Sequence, residues 1–231
     1  MASIAPALLA ADFARLGEAL RTLEAAGCRR CHLDVADGHF AQELTIGRPV
    51  FESIRKATTL ELDVHLLIER PERYVADFAA ASRIAVHVES TPQAHRALDL
   101  VRQHGSRPGV ALLPGTPVEA AAGLFDEVDF LSILAADPVF PGFHAVAAGR
   151  AGESAALGLR RVRQAARIRA DRGLRFEIHV EGGLRAEQLQ DWVVAGADIL
   201  VGGFAIFDSV DPATTLRDLV RRVESCSLGM A

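Results

Sequence analysis

Only one lysine, Lys56, stands among the 25 basic residues, and none falls at the strand ends identified below, so Schiff-base or lysine-dependent barrel chemistry has little to work with. Cysteine is scarce too: Cys28, Cys31 and Cys226 leave an odd thiol and no disulfide framework, as expected of a chain in a reducing cytoplasm. Cys28-Arg29-Arg30-Cys31 has redox-motif spacing but lies at a helix end and strand start, not at a helix N-terminus that would acidify a thiol, and is read as coincidence. Long apolar runs are missing, which excludes a membrane-spanning helix. The short apolar stretch from Ile4 to Ala11 has no positive charge before it and runs into Asp12, Arg15 and Glu18, so it reads as a strand and not as a signal-peptide core. No polar linker, low-complexity tract or block of like charge interrupts the chain, and one domain over residues 1–231 is expected. A basic excess is also lacking: the net charge of −5 disfavours nucleic acid and favours a small-molecule partner.

What is present is alternation. Short β-branched or apolar runs alternate with amphipathic stretches, at 3–8, 31–35, 60–67, 84–88, 109–113, 129–134, 175–181 and 198–202. That is the βα pattern of a parallel sheet, and eight strands predict a closed (β/α)₈ TIM barrel. An open doubly wound sheet would usually carry a glycine-rich turn after its first strand, whereas Ala5-Pro6-Ala7-Leu8-Leu9-Ala10 has no glycine. Asp12 opens a helix carrying Leu16, Leu20 and Leu23 that Gly27 closes, and Pro71, Pro92 and Pro117 open helices at 71–81, 92–104 and 117–124. The longest connections, 36–48 and 135–152, follow strands and so fall on the catalytic face of a barrel.

Chemistry enters with the strand polarity. His32 and Asp34 are two apart and share a face, while Cys31, Leu33 and Val35 face the other way. Asp63 with His65, and His179 with Glu181, repeat the pattern on the third and seventh strands. One such residue in a strand is ordinarily a satisfied structural group. Three strands delivering imidazole and carboxylate to one mouth is a different matter, because burying those groups costs several kcal/mol unless they are paired or metal-bound. Two nitrogens and two oxygens suit one divalent ion: zinc, iron(II), manganese or cobalt.

The chain resembles the ribulose-phosphate 3-epimerase family from Ile4-Ala5-Pro6 to Gly203-Phe204-Ala205-Ile206-Phe207. The blocks that carry the resemblance are Ala11-Asp12-Phe13 with Leu16-Gly17, His32 to Phe40, Leu44-Thr45-Ile46-Gly47, Asp63-Val64-His65-Leu66, His87-Val88-Glu89 and Pro114-Gly115-Thr116-Pro117. It implies a ribulose-phosphate-binding type of barrel, metal ligands at His32, Asp34, His65 and Glu181, and an acid/base pair of Asp34 and Glu181 on opposite faces of C3 of a ketose. It further implies an enediolate intermediate, a sugar or sugar-phosphate substrate, a homo-oligomer, and substrate or phosphate contacts at Gly142, Gly182, Gly183, Gly203 and Phe204. Asp37 and His39 beside the site are expected to hold loop 36–48.

The pattern also departs from the family. Its aspartate is Glu181 here, longer by a methylene, and a misplacement of about 1 Å can cost on the order of a hundredfold in rate. The family's first-strand serines are Ala7 and Ala10, its site methionines are Ala36, Leu67 and Leu134, and the serine of its phosphate motif is Phe204. Pro141 within the altered loop after strand six removes a backbone donor, while Arg150, His144 and His179 are further candidates for substrate recognition. The reading is therefore a metal-dependent sugar-phosphate 3-epimerase-like isomerase. Its rivals are an isomerase of an unphosphorylated or differently decorated sugar, a non-catalytic metal- or ligand-binding barrel, and another phosphate-binding barrel enzyme.

Overall fold

The computed structural model describes residues 2–135, 151–182 and 185–228. Eight strands form the central sheet: β1 Ser3–Pro6, β2 Arg30–Ala36, β3 Glu61–Leu67, β4 Arg83–His87, β5 Arg107–Leu112, β6 Phe130–Leu134, β7 Glu177–Glu181 and β8 Ile199–Gly202. Their order is β1-β8-β7-β6-β5-β4-β3-β2, and every pair is parallel. A further parallel bridge from Ala7 to His32 joins the two ends, closing the sheet into the expected barrel.

Period-two patterning sets the layers. Cys31, Leu33 and Val35 on β2, and Leu62, Val64 and Leu66 on β3, face outward into a core shared with Leu20, Leu23, Phe51 and Ile54 of the surrounding helices. Inside the barrel a smaller apolar cluster includes Ala36, Leu67, Ala85, Ala111, Phe130 and Leu134. Its packing is tight at Gly109, where a Cβ would lie 2.3 Å from the Phe130 ring.

Two of the expected helices are 3₁₀ turns instead. The 71–81 stretch forms Pro71–Arg73 and Val75–Phe78, and 117–124 contains Val118–Ala121, both closed by bonds from residue i to i+3. A 3₁₀ helix rises about 2.0 Å per residue against 1.5 Å, so a short crossover covers more of the barrel height with it. The 92–104 helix is present as Ala94–Gln103, and Asp12 caps its own turn by accepting the Ala14 N–H before helix Leu16–Ala25 begins. The first strand stops at Pro6 because Leu8–Ala10 turns across the barrel mouth. Cys28 and Cys31 are both free thiols, with burial pushing the Cys31 thiol far up.

Candidate metal centre

β2 ends at the inward-facing Ala36, so His32 and Asp34 occupy the two inward positions before its end, while His65 is the penultimate inward residue of β3 and Glu181 the final residue of β7. Asp34 lies directly opposite His65 in the β2–β3 register. The four side chains meet inside the mouth in an alternating ring. His32 Nε2 is 3.3 Å from Asp34 Oδ1 and 3.5 Å from Glu181 Oε2, and His65 Nδ1 is 3.3 Å from Asp34 Oδ1 and 2.8 Å from Glu181 Oε2. One ligand atom from each residue can be chosen so that all four lie within 4.8 Å of one another. Donors about 2.1 Å from a common ion are separated by roughly 3.0–3.4 Å along the edges of a square or tetrahedron, which the four edges approach.

The protein itself leaves these nitrogens unsatisfied. His32 Nδ1 and Nε2 and His65 Nδ1 are buried and make no hydrogen bond. Orphaned imidazole nitrogens beside carboxylates, in a region where His32, His65 and Glu181 are each at most 5% exposed, fit a cation that would complete all four groups at once. Without it the imidazoles compensate the acids. Burial opposes the charge on His65, but the pull of Glu181 and Asp34 outweighs it and holds that imidazole at about 9, and His32 is raised in the same way. Burial likewise works against Asp34, which His32 and His65 nonetheless hold at about 2, and against Glu181, which they keep far below the usual carboxylate range.

A file of side chains backs His65. Its Nε2 lies 2.9 Å from His87 Nε2, with the rings stacked 4.9 Å apart, and His87 Nδ1 lies 3.0 Å from Glu89 Oε2. With Glu89 ionised, the consistent tautomers have His87 Nδ1–H donating to Glu89 and His65 Nε2–H donating to His87, which leaves the His65 Nδ1 lone pair for a cation. Glu89 Oε1 also accepts the Leu113 N–H at 2.8 Å, so the end of β5 fixes it. On the far side of the ring the Ser132 hydroxyl donates to Glu181 Oε1. The sequence reading gave His87, Glu89 and Ser132 no role; His87 shares the inward phase of Ala85 on β4, and Ser132 is the lone hydroxyl in a buried apolar strand.

Of the two residues expected to hold the loop after β2, Asp37 does so, while the His39 ring only contacts the Asp37 carbonyl at 3.1 Å. Asp37 Oδ1 accepts the N–H groups of His39 and Phe40 at 2.8 and 2.9 Å, and its Oδ2 takes the Glu69 N–H at 2.8 Å, tying this loop to the one after β3. Thr45 Oγ1 donates to the Asp34 carbonyl at 2.6 Å and accepts the Ala36 N–H at 2.8 Å, bracing β2 at its exit.

Asp34, His65 and Glu181 line a cavity of about 640 Å³ at the C-terminal ends of the strands. Ala7, Ala10, Ala36, Leu67 and Leu134, the positions where the family pattern changes, all line it, so the substitutions fall on the walls of one pocket. Gly182, Gly203 and Phe204 line it as well. Gly182 has φ +93°, a conformation that favours glycine, and a Cβ at Gly203 would lie 2.4 Å from the Ala7 carbonyl oxygen. Close approach to the first loop is thus enough to require Gly203. Arg185 also lines the pocket, a cationic residue that sequence reasoning passed over. Asp63 and His179 share the inward phase of His65 and Glu181 on their strands but lie one inward position deeper: Arg83 donates to Asp63 at 3.3 Å, and His179 approaches Glu177 at 3.3 Å and stacks on Phe130. Gly142, Gly183, Pro141, His144 and Arg150 lie outside the described residues.

A sequence model described as the ribulose-phosphate 3 epimerase family matches residues 3–207. Proteins named ribulose-phosphate 3-epimerase are similar over nearly the whole chain. The one from Bacillus subtilis is 35% identical over 225 residues, covering 95% of this chain and 98% of its own, and the one from Treponema pallidum is 37% identical over 220 residues, covering 94% of each. Among solved structures, KGPDC from Streptococcus mutans superposes with a TM-score of 0.70 at 16% identity, over 96% of this chain and 98% of that one. Orotidine 5'-monophosphate decarboxylase from Sulfolobus solfataricus gives 0.64 at 12% identity, over 98% and 99%. At such identities these two structures bear on the fold alone.

Proposed function

Since the chain belongs to the ribulose-phosphate 3-epimerase family, we propose that it inverts C3 of a ketose phosphate, with Asp34 and Glu181 as the acid/base pair and His32, Asp34, His65 and Glu181 holding one divalent ion. As a member of that family it is an epimerase, an isomerase-class enzyme. The observation that carries the site assignment is the ring of two orphaned imidazoles and two carboxylates at the floor of the cavity.

The divalent ion, when bound, supplies Lewis-acid polarisation of the substrate's carbonyl and hydroxyl oxygens. The chain's residues do the rest. Inversion needs one group on each face of C3, and β2 and β7 bring a carboxylate in from different sides of the mouth. One carboxylate takes the C3 proton, leaving an enediolate, and the other returns a proton to the opposite face. Burial keeps water from competing, and the supported orientations of His65 and Glu181 keep the acids in place for proton transfer. Zinc, iron(II), manganese and cobalt all suit the donor set. Gly182, Gly183 and Gly203, with Phe204 and Gly142, are read as contacts to the substrate tail.

Residues 1–231 are read as one barrel domain acting in the cytoplasm as a homo-oligomer, on a small sugar phosphate and not on nucleic acid. No helix of the described residues is long and apolar enough to cross a membrane. A specific observation favours a second reading of the substrate tail, because Phe204 lines the pocket where the family pattern has a hydroxyl. The tail would then lack phosphate or be differently decorated.

One experiment addresses both readings. Metal-loaded protein is incubated with D-ribulose 5-phosphate or with unphosphorylated D-ribulose in deuterated water. The expected result is deuterium at C3 of the phosphorylated ketose, lost on Asp34→Asn; exchange confined to the free sugar would select the second reading. No exchange with either, alongside retained ligand binding in Asp34→Asn, would leave a binding barrel only.

A further inference from the structure

The geometry assigns Ser132 as the positioning residue that lets the longer acid at 181 act as a fixed, one-oxygen ligand: its hydroxyl holds Oε1 of Glu181 so that Oε2 alone faces the two imidazoles. The inference rests on the proposed metal centre and deepens it.

β6 is buried along its whole length, and Ser132 is its only polar side chain, fully removed from solvent between Leu131 and Ile133. A hydroxyl buried without a partner is destabilising, so its partner states its role. That partner is Glu181 Oε1 on the neighbouring strand. The register shows what this contact demands. Leu134 is the residue opposite Glu181, while Ser132 is opposite His179, one inward pair deeper in the barrel. The Glu181 side chain therefore leans down the barrel axis instead of straight across it.

The two carboxylate oxygens are divided as a result. Oε1 goes to Ser132, and Oε2 lies 2.8 Å from His65 Nδ1 and 3.5 Å from His32 Nε2. Glutamate has one more rotatable bond than aspartate and a reach greater by about 1.5 Å. Left loose, that bond would let the carboxylate turn both oxygens to a cation or swing up into the cavity. The Ser132 bond removes this freedom at the oxygen that does not face the imidazoles, as hydrogen-bonded outer partners commonly do for ligating carboxylates. An aspartate at 181 falls short of Ser132 if it keeps its ligand oxygen in place. Ser132 and Glu181 thus work as a pair, and the serine matters only with the longer acid.

A double-variant cycle in cobalt binding tests this. Co²⁺ is titrated into metal-free full-length protein as wild type, Ser132→Ala, Glu181→Asp and the combined variant, reading affinity by chelator competition and coordination by the visible absorption bands. Thermal unfolding of each metal-free variant checks the fold. Ser132→Ala is expected to weaken Co²⁺ binding by about 10- to 100-fold in the Glu181 background and to change the band intensities. In the Glu181→Asp background the same change is expected to leave affinity and spectrum nearly unaltered. Ser132→Thr, which keeps the hydroxyl, is expected to stay near the native affinity.

Equal losses in both backgrounds would overturn the inference, since the serine would then act on the barrel and not through Glu181. So would an unchanged affinity and spectrum in the single Ser132→Ala variant while the wild type binds Co²⁺. A wild type that takes up no Co²⁺ would instead remove the metal centre itself, and the inference with it.

Discussion

His65 points its Nδ1 at two carboxylates only because His87 occupies its other nitrogen and Glu89 occupies the far side of His87. Replacing His87 with phenylalanine keeps an aromatic ring against Phe40 and His65 but removes the acceptor. His87→Phe is expected to weaken divalent-metal binding by about 10- to 100-fold while the fold persists, as measured by chelator competition alongside thermal unfolding. At this scale the ring of His32, Asp34, His65 and Glu181 was legible because imidazoles and carboxylates recur two apart in apolar strands. Asp63 and His179 obey the same rule yet belong to the layer below, since a period of two fixes which face a side chain takes and not its height in the barrel. His87 and Ser132 were not legible as supports because the groups they hold, His65 and Glu181, sit on other strands, and Glu89 acts on His65 only through His87.

Strands were readable to within a few residues, since their apolar runs are short and bounded by turn residues. The two proline-led crossovers differ from the expected helices because 3₁₀ and α segments share the same N-terminal signals and differ in how much height must be covered per residue. Gly109 shows what strand reading leaves out: nothing local marks it, yet the Phe130 ring from β6 fills the place of its side chain, and Phe130 in turn stacks on His179. Gly109→Ala is expected to destabilise the protein by roughly 1–3 kcal/mol through overpacking, read as a lowered urea midpoint. A midpoint unchanged from wild type would show that the interior layer has slack.

Across the whole barrel the polar interior is divided between two ends: a charge network of Arg83, Glu61, Asp63 and Glu177 low on the strands, and the ring of two imidazoles and two carboxylates at the mouth. Burial works against the Glu177 charge, but His179, Arg107 and Arg83 outweigh it and hold the carboxyl at about 2 against an ordinary 4.5. A depressed folded-state value means its stabilisation is complete above pH 4.5 and is lost as pH falls towards 2. Glu177→Gln is expected to flatten the fall in urea midpoint across that window, and an unchanged acid limb would remove the network from the stability account. The ring at the mouth lies at the other end, and anomalous diffraction at the metal edge from crystals loaded with Co²⁺ or Zn²⁺ probes it. One peak is expected about 2.0–2.2 Å from His32 Nε2, His65 Nδ1 and one oxygen each of Asp34 and Glu181. A peak bound elsewhere, or four side chains diverging with no ion between them, would contradict it.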